Sequence, residues 1–306
     1  IARASNQGIL TLKTPFTSND AVLPGYLTDL RLPPGGATGL LVSSTSGAVT
    51  VNNSGNILIS YASTSPPNVE YDPDNPLPGA PLPGAPLLGL TGLDGSSGSG
   101  AVSVTNTGDI TLDGTLTTGA RGAGKGGNVT VRNDGNIRAD SYDGGVPGSN
   151  WDSISASSED GDAIGLLGTL DGGTVKVTNS GELKLSSLNG DAYGVLIRGG
   201  GSATVDNTGS IIAATAIQGG DGATTLTNRG TLFGEVRTGA GTDVITNAVG
   251  GVWNATGSNA DFGAGDDSFR NQGSLLLSGS QLAFGAGNNS FSNTGTVKIT
   301  GNNTVQ

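Results

Sequence analysis

One short pattern constrains this chain more than any other: an asparagine, any residue, then a glycine. The asparagines are Asn6, Asn53, Asn106, Asn133, Asn179, Asn207, Asn228, Asn247, Asn271 and Asn293, and glycine follows at +2 in nine of the ten. The exception, Asn247 in "NAVGGVW", fits with one inserted residue. Two positions before the anchor, from Asn53 onward, stand Val51, Val104, Val131, Val177, Val205, Leu226, Ile245, Phe269 and Phe291. Four positions after it stand Ile57, Ile110, Ile137, Leu183, Ile211, Leu232, Leu275 and Val297, with Val252 displaced by the insertion. Several copies add an apolar residue at +6: Ile59, Leu112, Leu185, Leu277 and Ile299. Apolar alternation on both sides of a turn predicts strand, turn, strand with one face inward.

A third short apolar segment accompanies the units, as in "ATGLLV" (37–42), "DAIGLLG" (162–168) and "DAYGVLI" (191–197). Anchor spacings are 47, 53, 27, 46, 28, 21, 19, 24 and 22 residues. The short values suit one three-strand coil. A single such unit leaves its apolar edge bare, whereas stacked units bury a continuous core. A stack of hairpins is the rival topology, but three strands per interval favour parallel stacking. Parallel crossovers are nearly always right-handed. The expectation is an all-β, right-handed parallel β-helix of about ten coils of three short strands, a rod of roughly 50 Å at the usual strand spacing. In that frame Asn and Gly serve the turn, because Asn bonds nearby backbone and Gly takes positive φ. Stacked asparagines also ladder through their amides.

Composition agrees and excludes much. Of 306 residues, 55 are Gly, without the three-residue period of collagen. Charged residues make up 13%, about half the globular norm. The net charge of −11 argues against a phosphate-binding surface and hence against nucleic acid. No apolar stretch is long enough for a membrane helix. The chain contains no Cys, His or Met. Missing Cys removes disulfides and thiol chemistry, and missing His removes Ser-His-Asp catalysis and the usual zinc sites. Without a signal-peptide pattern at Ile1, the chain reads as a single β-helix domain, 1–306, cut from a longer protein.

Three spacings run near double, and the extra residues fall at 13–36, 61–88 and 139–161. All 13 prolines lie there, as expected where Pro would remove a ladder hydrogen bond. The second insertion carries the tandem "LPGAPLPGAP", 77–86. Each insertion follows a post-Gly strand and precedes a third strand, so all three are expected at one corner of the coil. They hold Phe16, Tyr26, Tyr61, Tyr71, Tyr142 and Trp151. Aromatics in loops stack on sugars or anchor partner proteins, or else pack within their own loops.

Three carboxylates raise the question of metal. "TGAGTDVITN" (238–247), "FGAGDDSFRN" (262–271) and "FGAGNNSFSN" (284–293) align without gaps. Asp243, Asp267 and Asn289 therefore form one column, with Asp266 beside it. Calcium β-rolls repeat their turn every nine residues; here the interval is 22–24, which favours an architectural turn over a calcium site. No Lys follows these glycines as a phosphate loop requires. Asp160 and Asp162 share a face in an extended chain, as a glycosidase or lyase pair would, but no base accompanies them. Lys125 and Arg198 read as solvated loop residues. No cofactor is expected.

The units "FGAGDDSFRNQGSLLL", "FGAGNNSFSNTGTVKI" and "GGTVKVTNSGELKL" resemble those of bacterial autotransporter passenger domains, pertactin-like and AIDA-like. The likeness spans about 37 to 300. It implies a type V secreted protein that crosses the outer membrane through its own C-terminal β-barrel, absent from this chain, and is displayed or released outside the cell. Many such passengers act as adhesins or in self-aggregation. The family's "GDSGS" protease motif is missing, as is any Arg-Gly-Asp. The leading expectation is thus a noncatalytic adhesin. Its partner is a host-cell or bacterial-surface protein or glycan, or a second copy, met through the loops. The alternatives are a polysaccharide lyase or hydrolase, and a purely structural stalk.

Overall fold

The computed structural model describes residues 2–6, 9–14, 36–61, 89–114, 116–141, 162–187 and 190–306. Every regular element among them is a strand. The strand preceding each anchor asparagine forms the first column of the fold. Ten such strands, from Ala2–Asn6 to Ser290–Asn293, pair in parallel and in sequence order. Their register places each anchor beside the next, from Asn6 beside Asn53 to Asn271 beside Asn293. The irregular sequence spacings therefore all equal one turn of the coil.

The remaining 18 strands form a second parallel sheet of two columns. The second column runs from Ile9–Thr14 to Thr296–Thr300, and the third from Gly36–Ser44 to Thr304–Val305. In the sixth and seventh coils the corner between these columns is crossed without a break. Ser210–Gln218 and Thr231–Arg237 each pair in both columns. The molecule is a ten-coil parallel β-helix, and the crossover rule gives it a right-handed sense.

The core is a set of vertical stacks. Val51, Val104, Val131, Val177, Val205, Leu226, Ile245 and Phe269 are all buried, each above its equivalent. Ile57, Ile110, Ile137, Leu183, Ile211 and Leu232 form the matching stack of the second column. β-branched side chains suit this because like residues interdigitate on a pleated face. The strands of the last three coils are mostly only three to five residues long, and aromatic side chains take over the stacks there. Trp253, Phe262 and Phe269 are buried, Phe284 packs on them and Phe291 ends the row exposed, with ring centroids 5.2–6.5 Å apart.

Two sequence expectations are corrected. The Asn247 turn is longer by two residues rather than one. Trp253, not Val252, aligns with Leu232 and Leu275 and is buried, while Val252 is half-buried beside Thr231 and Ser274. The indole N–H donates to the Gly234 carbonyl at 3.0 Å. The second correction concerns the glycine of the anchor pattern, which does not adopt positive φ. Its reason is proximity. A Cβ at Gly108, Gly135, Gly181, Gly209 or Gly230 would lie 1.8–2.0 Å from the carbonyl oxygen of the preceding coil's glycine. Only a residue without a side chain lets the coils stack there.

The asparagines do ladder. From Asn53 to Asn271 each Nδ2 donates to the Oδ1 of the next coil's asparagine at 2.7–2.9 Å, ending on Asn293. From Asn53 to Asn228 the same Nδ2 also donates to the carbonyl of the glycine two residues on, at 2.7–3.2 Å. Asn53 through Asn271 are almost wholly buried, so the ladder satisfies polar groups that would otherwise be desolvated at a cost.

Candidate functional site

The carboxylate column is a second axial ladder. Thr224 N–H donates to Asp243 Oδ1 at 2.6 Å, Asp243 N–H to Asp267 Oδ1 at 2.8 Å, and Asp267 N–H to Asn289 Oδ1 at 2.8 Å. Gly263 and Gly265 form the preceding corner with φ of 83° and 141°. Asp243 and Asp267 are buried. Their Oδ2 atoms are buried without a hydrogen-bond partner. Burial pushes both carboxyls above the ordinary carboxylate range, only partly opposed by the Thr238 side chain and the Thr224 N–H at Asp243 and by the Asp243 N–H at Asp267. Asp266 is exposed, and its Oδ1 accepts from Asn288 N–H at 2.8 Å. Each of the three thus commits one oxygen to the neighbouring coil's backbone, and no group of three acidic residues converges on a metal-sized space among the described residues.

Asp162 is likewise buried, and its Oδ1 accepts from Asp191 N–H at 2.9 Å. Its sequence neighbour Asp160 lies outside the described residues. Lys125 is exposed at the turn after the strand Leu116–Gly124. Arg198, expected in a loop, is instead the half-buried last residue of the strand Ala192–Arg198.

Most of the predicted loop aromatics also fall outside the described residues: Phe16, Tyr26, Tyr71, Tyr142 and Trp151. Tyr61 closes the strand Asn56–Tyr61. The places where the chain leaves the coil are clear. Ile9–Thr14, Asn56–Tyr61 and Asn136–Ser141 belong to the second column; Gly36–Ser44, Gly89–Ser97 and Ala163–Leu170 belong to the third. The intervening segments of the first, second and fourth coils therefore open from one corner. In the third coil the second-column strand Ile110–Gly114 and the third-column strand Leu116–Gly124 are separated by one position in the sequence.

Further along, where the strands cross the corner unbroken, the outer surface differs. Thr231–Arg237 turns Phe233, Glu235 and Arg237 outward, between inward Leu232 and Val236. Phe233 is 43% exposed and borders a hollow of about 330 Å³ with Ile212, Ala214, Gly257 and Glu235. Next to it lies a second hollow of about 300 Å³, bordered by Gln218, Arg237, Asn259, Asp261 and Gln281. Arg237 pairs with Glu235 at 2.6 Å, and Asp261 Oδ1 accepts from Gly263 N–H at 2.9 Å. Sequence reading passed over this face because it followed inward positions and interruptions. The available signal was parity: Phe233 stands at +5 from Asn228, an outward position. Comparison of the chain with protein-family models, with curated proteins and with solved structures gives no match.

Proposed function

We propose that this chain is the noncatalytic passenger part of a bacterial surface adhesin: a rigid β-helix that holds three chain insertions along one edge for contact with a protein or glycan on a host or sister cell, or with a second copy. The carrying observation is the shared corner. Three insertions leave from the same edge in coils 1, 2 and 4, and insertions that map to one face of a solenoid commonly form its binding face. The polar residues that first suggested catalysis or metal are consumed in stacking, Asp162, Asp243 and Asp267 among them. In this reading a C-terminal β-barrel displays the rod outside the cell.

The test exploits the third coil, where the second-column strand ends at Gly114 and the third-column strand begins at Leu116. Replacing residues 62–88 by a single threonine is expected to leave the strand circular-dichroism signal intact. Attachment of protein-coated beads to epithelial cells and to sister bacteria should fall at least severalfold. Undiminished attachment with intact strands would sink the proposal for this insertion.

A further inference from the structure

We infer that the outward face of coils 6 to 9 is a binding site for a neutral glycan, with Phe233 as its stacking platform. Three adjoining rows make up this face. Phe233 lies between Ile212 and Asn254. Glu235 lies beside Thr215, and its Oε1 accepts from Asn259 N–H at 3.0 Å. Arg237 lies between Gln218 and Asp261. The residues of this face belong to coils 6 to 9, beyond the coils in which the chain leaves the second column.

The chemistry follows from what each hollow offers. A sugar has an apolar face of C–H groups and a rim of hydroxyls. An aromatic ring presents a flat negative face to the first, and convergent amides and charged groups bind the second. Phe233 supplies the ring. Room beside it exists at Gly257, where an added Cβ would have nothing within 4 Å. The adjacent hollow supplies the rim through Asn259 and Gln281, which both donate and accept, and Asp261, which accepts. The two charged groups at its edge are held before any ligand arrives. Glu235 fixes the Arg237 guanidinium, and the Gly263 N–H fixes the Asp261 carboxylate. Such preorganisation lowers the entropic cost of binding. The Glu235–Arg237 pair joins the two hollows, since Glu235 borders the first and Arg237 the second.

Charge and size narrow the ligand. Glu235 and Arg237 cancel, leaving Asp261, and the whole chain carries −11. A sulfated or uronic polysaccharide would meet like charge, so a neutral one is favoured. A folded protein partner needs roughly 1,000 Å² of buried surface with an apolar centre. A single exposed ring beside polar hollows suits a smaller amphipathic ligand.

The experiment titrates the whole chain with maltohexaose, cellohexaose and xylohexaose, and with heparin as the acidic comparison. Binding is read by saturation-transfer NMR and calorimetry. At least one neutral hexasaccharide should bind, and more tightly than heparin. Phe233→Ala should weaken it about tenfold, a loss on the scale of one aromatic contact. Phe233→Tyr should retain it, and Asn259→Leu should weaken it independently. Phe233 is exposed, so unchanged thermal unfolding of Phe233→Ala separates lost binding from lost folding. Three results would overturn the inference: no neutral saccharide bound, heparin alone bound, or binding indifferent to Phe233→Ala. Replacing 62–88 should leave these titrations unchanged, so this inference and the adhesin proposal fail separately.

Discussion

Asn133 accepts from the Asn106 amide and donates to Asn179 and to the Gly135 carbonyl, all in a dry interior. Removing it strands a donor above and an acceptor below. Asn133→Ala is therefore expected to destabilise by about 2–5 kcal/mol, since each unsatisfied buried group costs ~1–3 kcal/mol. Thermal and urea unfolding would measure it, and a loss below ~0.5 kcal/mol would show that the ladder contributes little. Asp267 is the contrasting residue. Its folded carboxyl holds its proton more tightly than the unfolded one does, because burial penalises the charge. The favourable contribution is thus complete below the ordinary carboxylate pKa and is lost as pH rises through the raised folded value. Asn289 already fills the same column in the next coil, so Asn fits the site. Asp267→Asn should raise stability at pH 7 and lessen the fall in melting temperature as pH rises above the ordinary carboxylate range. A variant that melts lower than the parent at pH 7 would contradict this.

At the scale of the strand, the third column depends on glycines that admit no methyl. A Cβ on Gly92 would lie 2.5 Å from the Gly119 carbonyl oxygen and 2.8 Å from Ile110 Cγ2. Gly92→Ala should cost about 1–3 kcal/mol, as overpacking generally does. Gly172→Ala, with nothing within 4 Å of the added carbon, should be near neutral, and paired melting curves would separate the two. The first and second columns were legible in the sequence because an inward residue recurs at fixed offsets from Asn, and the offsets survive every change of spacing. The extra length after Asn247 was not, because Gly250 and Gly251 offer two equivalent matches to the anchor glycine. What decides between them is the bulk of Trp253, which needs the core. The role of the anchor glycine was misassigned for a related reason. Turn chemistry is local, whereas the clash that forbids Cβ involves a residue one coil away. Phe233 escaped notice because an outward residue leaves no periodic trace in the core pattern.

Over the whole molecule each coil touches only its neighbours, and stability is close to a sum of coil and interface contributions. That explains how long insertions are accommodated: an added loop raises closure entropy only slowly with length and disturbs no interface. Removing residues 62–88 should accordingly shift the melting temperature by only a few degrees while changing attachment. The insertions themselves were readable as interruptions, and their common corner followed from register alone, whereas the nature of their ligand is written in no periodicity. The asparagine ladder carries one more consequence. Every amide from Asn53 to Asn271 points the same way along the axis, donor toward the C-terminal coil. Flipping any one of them would set amine against amine on one side and oxygen against oxygen on the other. The interior therefore holds a line of dipoles locked head to tail, each polarising the next, and this rod has an electrical polarity as definite as the direction of its chain.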